Sequence, residues 1–87
     1  MHYKHFNSTP DALEQYELLL KDDGRFVWLI SRSAADGISS HDARGRWKRT
    51  GDTIEFETEV SSEGAPVPTT ATVRDERLEV AGFGTFA

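Results

Sequence analysis

From Gly45 to Val60 the chain alternates polar and apolar positions, pauses at Thr50-Gly51-Asp52, and alternates again. A period of two marks a β-hairpin with one dry and one wet face. Trp47 shares its dry face with Ile54, Phe56, Thr58 and Val60, which lie at the opposite sequence parity. The turn must therefore hold an even number of residues, and a two-residue turn containing Gly51 meets that need.

The same test applies twice more. Tyr16, Leu18 and Leu20 alternate before Asp22-Asp23-Gly24, and Phe26, Trp28 and Ile30 alternate after it. A three-residue loop with Gly24 in the left-handed region sets Leu20 opposite Phe26 and Leu18 opposite Trp28. Near the C-terminus, Ala71 and Val73 share a face with Leu78 and Val80 across a two-residue turn at Asp75-Glu76. Turn-forming residues between the hairpins predict two long loops, 33–43 and 61–69, at one end of the meander, with the tight turns at the other.

The N-terminal third supports two readings. Ser8-Thr9-Pro10-Asp11 has the capping residues, proline and acid of a helix start, and 10–22 reads as a helix ending at Gly24. The hairpin parity of Tyr16–Trp28 argues instead for a helical turn at 10–14 followed by a strand, and that reading is preferred. The pattern thus predicts an all-β fold: an antiparallel up-and-down meander of six to eight strands forming a curled sheet or small barrel. The alternative is an α+β fold with an N-terminal helix over 10–22.

Leu19, Val27 and Leu29 form a second apolar face on the first hairpin. An uncovered patch of this kind is a liability in a monomer. Tyr3 and Phe6 from the N-terminal arm, or Phe83 and Phe86 from the C-terminal tail, are expected to cover it; a homodimer or a docking partner is the alternative.

With 87 residues, the chain makes one domain, 1–87. Its net charge of −5 argues against general nucleic-acid binding. The one basic run, Arg44, Arg46 and Lys48, shares its face with Glu55, Glu57 and Glu59, which reads as a solvated charge ladder. There is no cysteine, so neither a disulfide nor a thiolate metal site is available. No apolar run is long enough to span a membrane, and the N-terminus lacks a signal-peptide core. A cytoplasmic location is expected, although a mature exported form would carry the same features.

Candidate chemistry is sparse. His2, His5 and His41 have no ligand spacing, so no metal site is expected. Ser39, Ser40, His41 and Asp42 include the residue types of a nucleophilic triad, but sequence neighbours point in different directions. Phosphate-loop, dinucleotide and calcium-loop motifs are absent. No enzyme activity and no cofactor are expected.

The segments Tyr16–Phe26, with its Asp-Gly turn before an aromatic, and Gly45–Ile54, with Gly-Arg-Trp before Gly-Asp, resemble hairpins of bacterial lipocalin-like β-meander domains. The resemblance covers about half of the chain. It implies a barrel or half-barrel that binds a small apolar ligand or another protein without catalysis. On this reading the ligand enters at the open loop end, with Trp28, Trp47, Phe56 and His41 as candidate ligand-binding residues. A protein-interaction or inhibitor domain acting through Leu19, Val27 and Leu29 is the second reading.

Overall fold

A computed structural model describes residues 1–87 as eight antiparallel strands in one sheet, ordered as in the sequence. They are β1 (His2–Ser8), β2 (Ala12–Leu20), β3 (Arg25–Ala34), β4 (Gly37–Thr50), β5 (Thr53–Ser61), β6 (Thr70–Arg74), β7 (Arg77–Val80) and β8 (Gly84–Phe86). The sheet curls into a nearly closed barrel. Lys4 and Ala87 exchange backbone hydrogen bonds of 2.8 and 2.9 Å across the β1–β8 seam. There is no helix, and hence none long and apolar enough to cross a membrane.

The three tight turns follow the parity argument. Leu18 pairs with Trp28 and Leu20 with Phe26 around Asp22-Asp23-Gly24, with Gly24 at φ 85°. Thr50 pairs with Thr53 around Gly51-Asp52, with positive φ at Gly51 alone, the pattern of a type II′ turn. Ala71 pairs with Val80 and Val73 with Leu78, and Asp75 takes φ 56°, which aspartate tolerates better than most residues.

Four expectations are corrected. The first concerns the helical turn expected at 10–14: the strand that follows it is present as preferred, but it already begins at Ala12 and runs to Leu20, and neither the turn nor the alternative helix 10–22 forms. Pro10 and Asp11 form a reverse turn instead, closed by paired hydrogen bonds between Thr9 and Ala12, because the proline φ that suits a first helical turn also suits a β-turn. Pairing on both sides, to β1 and to β3, overrides the good helix propensity of 12–20.

The second concerns 33–43, which is a loop only at Ala35-Asp36; β4 begins at Gly37 and pairs with β3 from Ala34↔Gly37 onward. The second long connection stands, at 62–69.

The third concerns Val60. Arg44 pairs with Val60 but Gly45 with Thr58, so Glu59 is an extra residue, a β-bulge. The bulge reverses the alternation above it. Ile54 is buried and Phe56 half-buried, while Val60 is turned outward and 67% exposed.

The fourth concerns the termini. They are strands of the barrel, so Tyr3, Phe83 and Phe86 pack on or in the core and do not cover the outer apolar face. Phe6 lies on that outer side and is itself 59% exposed.

The core holds Leu18, Leu20, Phe26, Trp28, Ile30, Ile54, Leu78, Val80 and Phe86, with Ala43 and Ala71 where large neighbours need room. No polar side chain is buried among them. Strands β1–β4 run on above the barrel as a four-stranded flap. β5 stops at Ser61, opposite Ala43, and β8 meets β1 only near Lys4.

Candidate functional site

The candidate ligand-binding residues divide between the two ends of the barrel. Trp28 is fully buried at the upper end, and its indole Nε1 donates to the Pro66 carbonyl at 3.0 Å. This bond draws loop 62–69 over the mouth, where Pro68 is also buried. His41 lies diagonally beside Trp28, since Trp28 pairs with Ala43 and Ile30 with His41. Trp47 and Phe56 face each other across β4–β5 at the lower end and are half-buried. Trp47 Nε1 donates to the Lys21 carbonyl at 3.0 Å, and the Phe56 ring meets Phe26 edge-on at 5.1 Å. Each tryptophan therefore fastens a connection to the wall.

Above Trp28 the concave side is aromatic, then polar. Phe86 stacks between Trp28 and His5, with centroid distances of 5.6 and 5.1 Å. Phe83 contacts Trp28 edge-on at 4.8 Å and Tyr16 at 5.8 Å. His5 Nδ1 donates to the Thr85 carbonyl at 2.8 Å, which fixes its proton on Nδ1. The Tyr16 hydroxyl donates to Glu14 Oε2 at 3.4 Å, and Asn7 Nδ2 donates to Glu14 Oε1 at 3.1 Å. Burial pushes the Tyr16 phenol above its ordinary pKa, and the charge and hydrogen bond of Glu14 add to the shift.

The remaining clusters take ordinary structural positions. Along β4 the side chains of Ser39 and His41 lie on the concave side, whereas those of Ser40 and Asp42 lie outside. Asp42 is held by Ser62, whose hydroxyl donates to Oδ1 at 2.7 Å. His2 lies outside, 3.9 Å from Glu17. Two rungs of the charge ladder form, Arg46 opposite Glu57 and Lys48 opposite Glu55; the bulge sets Arg44 opposite Val60, and Glu59 pairs instead with Arg46 at 3.6 Å.

The outer face is the surface the interior does not explain. Leu19 and Val27 are cross-strand partners, and Leu29 lies one pleat above Val27 with 41% exposure. Charges rim the group: Lys4 stands 3.8 Å from Glu17 on one side, and Arg44 and Asp42 lie opposite Val27 and Leu29 on the other. The face continues across β4 into an open cleft of about 610 Å³, lined by Val27 and Val60 together with Lys21, Arg25, Arg44, Arg46 and Glu59. Four cations thus meet one carboxylate there, on a chain whose net charge is −5.

No family model matches the chain, and no curated protein or solved structure is significantly similar to it. The geometry alone carries the functional reading.

Sequence reasoning missed the anchoring role of Pro66, the Glu14–Tyr16–Asn7 contacts and the Glu59 bulge. The first two depend on which strands become neighbours, which no local pattern encodes. The charge pattern gives no signal of the bulge, because the Arg44–Lys48 and Glu55–Glu59 runs are in phase without a slip, and the slip moves Arg44 from Glu59 to Val60.

Proposed function

We propose that this domain is a non-enzymatic protein-interaction module acting through the outer face of β2–β5. The observation that carries the reading is the outer apolar group of exposed Leu29 with half-buried Leu19 and Val27, continuous with the Val27–Val60 cleft, while every aromatic side chain available to cover it except Phe6 is used by the core. An apolar centre with a charged rim is the usual anatomy of a docking surface. The excess of cations in the cleft suits a partner whose contact surface is apolar with acidic neighbours.

Photo-crosslinking tests this reading. A benzophenone side chain at Leu29 is expected to capture a discrete partner in cells, and one at Glu79 on the far wall is not. The capture should be lost in a Val27→Asp background. Equal labelling from both positions, or labelling indifferent to Val27→Asp, refutes it.

The meander also favours a second, lipocalin-like reading, in which a small apolar ligand enters from the loop end. That reading requires loop 62–69 to release Trp28 from Pro66, because the space beneath is filled by Trp28, Ile30 and Phe86. A saturable change of tryptophan fluorescence on titration with a fatty acid would support it, provided Trp28→Phe abolishes the change.

A further inference from the structure

We propose that the free edge of β4, Gly37–His41, is a self-association site that pairs antiparallel with the same edge of a second copy of this chain. The inference is independent of the outer-face reading above.

The edge is open because its neighbour ends early. In an antiparallel ladder both backbone groups of a residue point to one side, and the side alternates along the strand. Asp42 directs its groups toward β5: its N–H donates to Ser62 Oγ at 2.9 Å, and its carbonyl accepts from the Ser62 N–H at 2.8 Å. Ile38 and Ser40 share the phase of Asp42, yet β5 has already ended, so their N–H and C=O groups face outward with no strand beside them.

Natural sheets blunt such edges with lysine, proline or a bulge. Gly37-Ile38-Ser39-Ser40-His41 carries none of these, and Ile38 is 84% exposed. The open edge on β1 above Lys4 is shorter and runs into the Pro10 turn, and the upper part of β5, beyond Phe56, runs into the bulge at Glu59.

The occupant follows from the register. A two-fold axis through Ser39 sets Ile38 of each copy opposite Ser40 of the other. That register closes four hydrogen bonds and leaves none of the outward groups of Ile38 and Ser40 unpaired. Gly37 falls opposite His41, and Ser62 stops the strand from sliding further. The facing side chains are short or uncharged, so no like charges meet within the paired stretch. At its ends Asp36 of one copy approaches Asp42 of the other, so the pairing is expected to tighten as salt rises.

The register makes a sharp test. Ser39 opposes itself as a non-hydrogen-bonded pair, the arrangement with the closest side chains. The chain has no cysteine, so Ser39→Cys under mild oxidation is expected to give a covalent dimer, while Ile38→Cys and Ser40→Cys give at least tenfold less. Sedimentation is expected to show a wild-type dimer at high micromolar concentration. Ser40→Pro, which removes an outward N–H, and Ile38→Lys should both shift the mass to monomer with an unchanged circular dichroism spectrum. A wild-type monomer throughout would overturn the proposal. So would a dimer indifferent to Ile38→Lys, a dimer dissolved by Leu19→Glu/Leu29→Arg, or growth beyond two copies, which would assign β4 to β1 in an open chain.

Discussion

The ring of Phe26 packs against Gly45, its cross-strand partner, so closely that a methyl group on Gly45 would sit 2.9 Å from the ring carbon Cε1. The same methyl would also run into the Glu57 carbonyl on the other side. Rigid backbone and a buried ring leave neither neighbour room to give. The glycine here is required for space and not for its backbone angle. Gly45→Ala is expected to destabilise the fold by roughly 1–3 kcal/mol or more, the usual range for overpacking. Urea unfolding followed by circular dichroism measures it. A cost below about 0.5 kcal/mol, the level of an indifferent surface change, would mean that β4 and β5 can part locally.

Trp28 offers a second test at the opposite end. Trp28→Phe keeps an aromatic ring but removes the donor to the Pro66 carbonyl. Loss of that bond and of part of the ring volume is expected to cost about 1–3 kcal/mol. Amide exchange should accelerate across 62–67 while the lower turns stay protected. Uniform acceleration across all strands would show that the loop is held by other contacts.

Tyr16 sets an alkaline limit. Its phenol is raised above the ordinary value of 10.0, so the folded chain holds this proton more tightly than the unfolded chain. The resulting stabilisation is complete below that ordinary value and is lost as pH climbs past it through the folded value. Wild-type stability should therefore fall more steeply than that of Tyr16→Phe above about pH 10. At neutral pH the two should lie close together, since the lost hydrogen bond is long, at 3.4 Å. Urea midpoints for both proteins from pH 8 to pH 11 are the measurement. Parallel curves would refute the assignment.

Leu29 is the control for the outer face. It is 41% exposed and touches no core position, so Leu29→Arg is expected to change stability by no more than about 0.5 kcal/mol. Leu18→Arg, one strand away but on the inner side and fully buried, should not fold. A large cost at Leu29 would mean that this face is covered in solution.

Much of the sheet was legible in the residues, because side-chain alternation and turn length constrain each other. Leu20 could face Phe26 only across an odd loop, and Trp47 could join Ile54 only across an even one. The same logic failed where composition stood in for pairing. Ser39 and Ser40 read as loop residues, yet a serine sits in a strand at little cost once a partner strand supplies its hydrogen bonds. Pro10-Asp11 read as a helix start because a first helical turn and a β-turn ask for similar backbone angles. Tyr3, Phe83 and Phe86 read as cover for an outer patch because nothing local reveals that the two ends of the chain meet at Lys4 and Ala87. The candidate site was less legible. The apolar face was visible in Leu19, Val27 and Leu29, but its extension to Val60 depends on a bulge, and its cations come from four separated positions.

The extra residue at Glu59 has a consequence for how such a sheet can change over generations. Below it Ile54, Phe56 and Thr58 face inward, and above it the parity reverses, so that Val60 faces outward with its partner Arg44. Deleting Glu59 would close the bulge and leave Val60 opposite Arg44 on the outside, whereas straightening the strand with Glu59 kept would set Val60 opposite Ala43 on the inside. The bulge thus absorbs one extra codon: the residues on either side of it keep their partners and their faces whether the codon is present or not.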